Sequence, residues 1–379
     1  MFVCEKCGNK EQRYIGILNG KEYCRRCIEF IGEECIEDEI VKSSEGELKL
    51  DYELTKEQKK ISDEIVTSFK NKKNTLVKAV CGAGKTELVF AVIEYALKNK
   101  MKVGFAVPRK NVVLDLYSRF KDSFKNYKIV TVYGGCNEEL NGDIILLTTH
   151  QLYRYKNFFD LLILDEVDAF PFYRNETLYA FFKRALKGNT VILSATAPPD
   201  IIDEFKKDND TILNLNVRFH HYKIPEPFIV KRTFILQIIY VLKKLKDYQK
   251  QDKQCFVFLP TINMCEVIYK VFKVFNNKGF VITSKTKNFE QVIEDFKNKK
   301  YMYLITTSVL ERGVTFKNLQ VIILNCEHFI FDKNTLIQIS GRVGRKKDSP
   351  YGDVIFCCSY ETEAMKEAIY EIRRANKYL

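Results

Sequence analysis

No apolar run in this 379-residue chain approaches the roughly 18 residues a membrane-spanning helix needs. That excludes an integral membrane helix. Met1-Phe2-Val3 passes straight into Cys4-Glu5-Lys6 without the apolar core of a secretory signal. The chain is therefore expected in the cytosol, with its twelve cysteines serving as thiols or metal ligands instead of disulfides. Acidic residues are also in deficit, 49 Asp+Glu against 61 Lys+Arg, for a formal net charge of +12. A basic balance favours polyanionic partners, nucleic acid first and acidic lipid second; solvated surface lysines alone would give the same total. The acids present are concentrated. From Ile28 to Leu54 there are ten, against only Lys42 and Lys49, so the remainder is more basic than the total implies. The length suits two domains and something small.

The small part is at the start. Cys4-x2-Cys7 and Cys24-x2-Cys27 are separated by sixteen residues, a spacing that offers four thiolates to one tetrahedral Zn²⁺. A redox pair would sit at a strand-to-helix junction of thioredoxin pattern, which is absent here. Cys35 falls outside the spacing and reads as spare. A core this small needs the metal in order to fold, so residues 1–35 read as a four-cysteine zinc finger and 36–50 as an acidic linker. Cys24→Ser is expected to destabilise the first thirty residues without erasing the activity of the rest.

The stretch NTLVKAVCGAGKTELVFAVIEYALKNK, from Asn74, reads as strand, tight glycine loop and helix. Gly82 and Gly84 allow backbone positions no side chain would permit, so N–H groups of the loop, with Ala83 between them, can turn toward a phosphate, and the helix start adds partial positive charge. Lys85 would reach the β- and γ-phosphates of ATP, and Thr86 would ligand Mg²⁺. Ala79 stands where the P-loop pattern asks for glycine, a departure that one group of motor ATPases shows. LLILDEVDAFPFY, residues 161–173, then delivers three carboxylates from the end of an apolar strand. Like charges this close are costly unless a metal nucleotide offsets them. Asp165 would hold Mg²⁺ and Glu166 would orient and deprotonate the attacking water. Asp168, one step removed, reads as a link between motifs.

Short apolar strands alternating with helical sequence predict an α/β fold with parallel sheets. The first set includes 102–108, 128–134, 143–149 and 190–196. The pattern breaks near RFHHYKIPEPF, 218–228, where two prolines and the pair His220 and His221 read as polar linker. A second set follows: QCFVFLP, GFVITS, YLITTS, VIILNC and DVIFCCS. The expected divisions are a lobe at 51–217, a linker at 218–232 and a second lobe at 233–379. In the second lobe, QISGRVGRK places Arg342 and Arg345 three apart, on one face if the segment is helical. After a P-loop domain, such arginines fit fingers that reach a γ-phosphate, worth roughly 10³–10⁵ in turnover. A site split between lobes would couple hydrolysis to movement.

Taken together, AVCGAGKT, DEVD, SAT (194–196), TTSVLERGVTF (306–316) and QISGRVGR resemble motifs I, II, III, V and VI of superfamily 2 helicases, in order, across residues 51–379. The resemblance implies two tandem RecA-like domains. It adds Gln58 of LTKEQ as an adenine reader, and Gly313 and Gln338 as further ATP-site residues. VPRKNVVLDL resembles motif Ia, and TTHQLYR a later DNA-facing motif. DEVDAFPF behind a four-cysteine finger is similar to the late competence protein ComFA family. That resemblance implies an ATP-dependent translocase on single-stranded DNA. It would drive uptake during transformation from the cytoplasmic side, peripherally associated with the inner face of the membrane, with the ComEC channel, ComFC and DprA as partners. Oligomerisation is left open.

By the same resemblance, Pro108, Arg109, Gly134, Gly135, Thr148 and Thr149 would line the DNA path in the first lobe, and Thr306 and Thr307 in the second. Backbone N–H and hydroxyl groups bind phosphate without reading bases, so binding should be sequence-tolerant and salt-sensitive. Tyr133, Tyr153 and Tyr155 are candidates for base stacking, though each reads more naturally as core or surface. Two alternatives stand beside this reading. A PriA-like replication-restart helicase shares a related DEEH site, but its zinc cluster comes late, and extra DNA-binding domains precede the motor. Here the finger comes first and about thirty residues follow Arg345, so translocation without strong unwinding is expected. The other alternative is a nucleic-acid-binding module with a vestigial ATPase.

Overall fold

The computed structural model describes residues 2–35, 46–50, 52–136, 138–310 and 316–377. The described residues form two units: 1–79 with 84–215, and 80–83 with 216–379. Both are built as the alternating pattern requires, on all-parallel sheets with helices on the faces. The α/β class with two RecA-like sheets is the one the sequence predicts.

The sheet of the first unit has seven strands. Their order is Thr211–Leu215, Thr75–Ala79, Leu186–Ser194, Phe159–Asp165, Val103–Val107, Ile144–Thr148, Ile129–Val132. Every neighbouring pair is parallel. Strands covered on both faces read as continuous apolar runs, and Val103–Val107 and Ile144–Thr148 are buried throughout. The order explains how distant motifs meet. The strand ending in Ser194 lies between the strand that feeds the glycine loop and the strand that ends in Asp165. The helix Lys56–Lys70 starts with a capping box, in which Thr55 accepts from the Gln58 N–H and Gln58 accepts from the Thr55 N–H. It buries Ile61, Ile65 and Phe69 at helical spacing.

The second unit carries six parallel strands in the order Phe228–Lys231, Val354–Cys358, Leu319–Ile323, Gln254–Phe258, Tyr303–Thr306, Gly279–Ile282. Two apolar clusters lie on this sheet, one around Phe256, Val321 and Phe356, the other around Val257, Ile322 and Ile355. Two strands of these parallel sheets escaped the sequence reading: Thr211–Leu215 at one edge of the first sheet, and Phe228–Lys231 at one edge of the second. The latter falls inside the segment read as linker. Edge strands are short and half-exposed, so their sequences carry a weaker apolar signal than central ones. Arg218 and His220, read as part of a polar linker, are 1% and 8% exposed. Phe219 between them is 40% exposed, so the two polar side chains turn inward while the aromatic one faces out, and His220 is a hydrogen-bonding partner of a carbonyl (below).

The cysteine segment folds as a hairpin, Ile15–Leu18 against Lys21–Cys24, with Cys4 and Cys7 before it and Cys24 and Cys27 around its end. It does not stand apart. Cys4, Cys24 and Cys27 share one apolar cluster with Leu152, Tyr153, Phe181 and Phe182 of the first sheet's helices and loops. Phe30 meets Phe181 edge-on at 4.8 Å, and Tyr153 donates to the Ile31 carbonyl at 3.0 Å. Arg154 donates to the Glu33 carbonyl, and Arg184 pairs with Glu34, both at 2.8 Å. Of the acidic linker, residues 36–45 lie outside the described residues, and Glu47–Leu48 pairs antiparallel with Phe124–Lys125. Among the described residues, no helix is long and apolar enough to cross a membrane.

Candidate functional site

The residues singled out in the first unit gather along the carboxyl ends of its parallel strands, where open α/β sheets place ligands. The strand Thr75–Ala79 runs into a turn in which Gly82 and Gly84 have φ of +83° and +76°. A Cβ on Gly84 would stand 2.5 Å from Gln58 Nε2, so the glutamine occupies the space that the glycine leaves open. This is how residue 58, on a separate helix, reaches the phosphate loop. Gly84→Ala would bring both a strained φ and this overlap. It is expected to weaken binding of a fluorescent ATP analogue about tenfold or more, since roughly 1–2 kcal/mol attaches to the backbone alone.

One expectation differs in detail. The helix after the loop is not continuous: Lys85–Leu88 ends at Val89, and Phe90–Lys98 follows. Glu87 of the first turn is held by an ion pair with Arg119.

Asp165 closes the strand Phe159–Asp165 and is buried. Burial pushes its carboxyl up to about 6; Lys85 pulls the other way, and Glu166 and Asp168 add to the rise. A buried carboxyl beside two others is costly to ionise without a cation, which is the property expected of an Mg²⁺ ligand. The next residue turns sharply. Glu166 has φ +59°, and its N–H donates to the Leu193 carbonyl at 3.0 Å and to Asp165 Oδ1 at 2.9 Å. Asp168 accepts from Ser194 Oγ at 2.6 Å and from Thr196 Oγ1 at 2.8 Å. It thus joins DEVD to SAT, in keeping with its reading as a link.

The proposed DNA residues of the first unit fall along the same edge. Buried Pro108 and half-buried Arg109 follow Val103–Val107, and exposed Gly134 and Gly135 follow Ile129–Val132. Thr148 ends Ile144–Thr148 and Thr149 follows it, but both are buried, and Thr149 Oγ1 has no hydrogen-bond partner among the described residues. The tyrosine candidates divide. Tyr153 and Tyr155 are 4% and 0% exposed, the first under Phe30 and the second donating to the Leu140 carbonyl at 2.9 Å. Neither ring is open to a base, which corrects that expectation. Tyr133 stays half-buried, with Lys110 over its ring.

In the second unit Thr306 is fully buried, its hydroxyl donating to the Thr307 carbonyl at 3.1 Å, and Thr307 is half-buried. Gly313 lies outside the described residues. The helix Lys333–Ser340 carries Gln338, whose Nε2 is buried without a hydrogen-bond partner among the described residues. An orphaned donor of this kind fits a site that takes an oxygen-rich ligand. Arg342 and Arg345 do not lie on a helical face as the spacing suggests. The helix stops at Ser340; Arg342 belongs to the turn 341–344 that follows, and Arg345 comes directly after that turn. Arg342 is 2% exposed, and Arg345 Nε donates to the Gly341 carbonyl at 3.0 Å.

The four cysteines can be tested against zinc by geometry. Sγ of Cys4 and Cys27 are 3.7 Å apart, as are those of Cys7 and Cys24, and all four lie within 4.8 Å of one another. A tetrahedron with Zn–S of about 2.3 Å has an S···S edge of about 3.8 Å, so the set fits. Burial raises the Cys27 thiol, with Cys7 adding to the effect, and raises Cys7 to about 11. A bound cation would reverse both shifts. Cys35 stays outside the cluster, its N–H donating to the Arg154 carbonyl at 2.8 Å.

Comparison with known proteins agrees with this architecture. A profile described as "Type III restriction enzyme, res subunit" matches residues 51–199, and one described as "Helicase conserved C-terminal domain" matches 233–347. Among solved structures, S. cerevisiae Dbp5 bound to RNA and ADP BeF3 superposes with a TM-score of 0.66, covering 86% of this chain and 88% of that one. At 16% identity that likeness is one of fold. The fold and motif set define an ATP-dependent motor of the superfamily 2 helicase class.

Two relatives narrow the assignment. Competence protein ComFA of Bacillus subtilis (strain 168) is 32% identical over 99% of this chain and 86% of its own length. Its namesake from Streptococcus pneumoniae (strain ATCC BAA-255 / R6) is 34% identical over 99% of this chain and 90% of its own. The chain belongs to the ComFA family of competence proteins.

Proposed function

We propose that this protein is a single-stranded-DNA-stimulated ATPase that translocates on that strand and drives DNA uptake into the cytosol during natural transformation. The observation that supports it best is the shared strand edge. Asp165, the Asp168–Ser194–Thr196 bridge and the Pro108–Arg109, Gly134–Gly135 and Thr148–Thr149 corners all lie along the carboxyl ends of one sheet. The Asp168 bonds to Ser194 and Thr196 tie the carboxylates to the SAT turn, and the corners proposed for DNA follow on the neighbouring strands of the same sheet.

In this proposal Lys85 meets the β- and γ-phosphates, Gln58 reads adenine, and Thr86 and Asp165 hold Mg²⁺. The ion, when bound, neutralises developing charge on the phosphates. Glu166 orients a water, takes its proton as the oxygen attacks the γ-phosphorus, and the bond to the β–γ bridging oxygen breaks with ADP as leaving group. Gly313, Gln338, Arg342 and Arg345 complete the nucleotide site, the arginines stabilising charge on the transferred group. Cys4, Cys7, Cys24 and Cys27 hold a structural Zn²⁺. DNA is gripped through its phosphates by Pro108, Arg109, Gly134, Gly135, Thr148, Thr149, Thr306 and Thr307. The lobe boundaries at 51–217 and 233–379 belong to the same proposal. So do peripheral attachment at the inner membrane face and partnership with ComEC, ComFC and DprA, which rest on family resemblance.

The test is steady-state ATPase at fixed salt with single-stranded DNA, duplex DNA, RNA or nothing added. Stimulation by single-stranded DNA alone is the expected result. Equal stimulation by RNA would sink the DNA-uptake assignment, and no turnover under any condition would point to a vestigial site. Lys85→Ala is expected to lower turnover by on the order of 10²–10³-fold while single-stranded DNA binding by fluorescence anisotropy survives. Joint loss of both would indicate a folding defect.

A further inference from the structure

Arg218 is absent from every motif above, yet it is one of the largest fully buried side chains, at 1% exposure. Among the described residues its guanidinium has no carboxylate partner. Within the second unit Nε donates to the Cys81 carbonyl at 3.0 Å, and both terminal nitrogens are spent on carbonyls of the turn after Lys333–Ser340. Nη1 donates to Val343 at 2.9 Å and Gly344 at 2.8 Å, and Nη2 donates to Gly341 at 3.2 Å. Burial, with Arg345 nearby, pushes its pKa down to about 10. Burying a cation without a counter-charge is costly, so a surface-filling role would be better served by an apolar side chain.

What the arrangement secures is the path of one turn. Gly344 has φ +69°, and a Cβ there would run into the Pro350 carbonyl, so only glycine fits. The carbonyls of Gly341, Val343 and Gly344 lie just past a helix C-terminus, where dipoles favour a cation. His220 adds to the hold: its Nε2 lies 3.0 Å from the Gly344 oxygen, and its Nδ1 accepts from the Tyr222 N–H at 3.1 Å. The ring is thereby fixed as the neutral tautomer with the proton on Nε2. The Gly341 carbonyl is shared, receiving both Arg218 Nη2 and Arg345 Nε. The oxygen that orients Arg345 is thus the one Arg218 holds.

We infer that Arg218 is a positioning residue for ATP hydrolysis, its planar fork fixing the 341–344 turn so that Arg342 and Arg345 are presented in one geometry. The inference rests on the proposed role of those arginines toward nucleotide. Lysine would keep the charge but lose the fork, since an ammonium cannot reproduce parallel, fixed N–H directions. In the full-length protein with single-stranded DNA, Arg218→Lys is expected to lower kcat about 10–100-fold, the scale of a roughly 1 Å misplacement. KM for ATP and the melting temperature should stay near wild type.

The deciding measurement is a double-mutant cycle with Arg345→Lys. If Arg218 acts through Arg345, adding Arg218→Lys to Arg345→Lys costs little more in kcat. A merely structural arginine would multiply the two losses, overturning the inference. Wild-type kcat in Arg218→Lys would overturn it as well. Wild-type kcat in Arg345→Lys would overturn the arginine reading itself, and the inference with it. Should Arg218→Lys not fold, His220→Phe, which gives up the bond to the same Gly344 carbonyl and the one from the Tyr222 N–H, replaces it in the cycle. The signature is the same: lowered kcat, unchanged KM and non-additivity with Arg345→Lys support the inference, and multiplied losses or wild-type kcat overturn it.

Discussion

Asp165→Asn is expected to abolish ATP turnover while raising the melting temperature of the metal-free protein at pH 8. The two effects have one cause. The carboxyl is buried at the end of an interior strand and pushed up to about 6 by that burial, with Glu166 and Asp168 adding to it. In the unfolded chain an aspartate titrates near ~3.9. Between these values the folded state binds the proton more tightly than the unfolded one. Stability from this group is therefore highest below the unfolded value and falls as pH rises through about 6. Above that pH the metal-free fold carries a buried charge, which asparagine removes while keeping an oxygen for the Glu166 N–H. The same substitution removes the proposed Mg²⁺ ligand and with it several kcal/mol of transition-state stabilisation, about 10³-fold or more in rate. Calorimetry at pH 5 and pH 8 without metal, beside steady-state ATPase, checks both halves. A variant that is inactive and also less stable at pH 8 would show that Asp165 serves the fold.

Loss of the proposed zinc, by chelation or by Cys24→Ser, is expected to lower the melting temperature of the first lobe along with that of the finger. Judged from spacing alone the finger is a separate module, and its failure would leave the motor untouched. The packing indicates otherwise. Cys4, Cys24 and Cys27 belong to the same apolar cluster as Tyr153, Phe181 and Phe182, and Phe30 stacks edge-on against Phe181. A structural zinc contributes roughly 10–16 kcal/mol to the folding of an isolated finger. Releasing Phe30 would remove a packing contribution of about 3–5 kcal/mol. At ~2–4 °C per kcal/mol for a domain of this size, the lobe's transition should fall by about 10 °C. ATPase activity should persist below that temperature. Calorimetry with metal content measured on the same samples decides it. An unchanged motor transition in Cys24→Ser would show that the finger folds and unfolds on its own.

Much of this protein was legible in the sequence because its chemistry is local. Four cysteines in two close pairs, a glycine loop between strand and helix, and carboxylates at the end of an apolar run are each held within about a dozen residues or a fixed spacing. Backbone geometry then leaves few ways to arrange them. The parallel sheets were legible for the same reason: buried strands must be apolar throughout, and LLILD and IILLT could be little else.

Tertiary structure alone decided what depends on neighbours distant in the chain. Arg218 looks like one more charge in RFHHYKIP, and only the turn at 341–344 gives its guanidinium three carbonyls to hold. Tyr153 and Tyr155 could have faced DNA until the finger covered the one and the Leu140 carbonyl took the other. Arg342 and Arg345 share a face only if the helix continues, and it ends at Ser340. A sequence specifies its periodic elements through apolar spacing. Where a polar side chain finds its partner depends on which strand edges and turns come together, and that has no period to read.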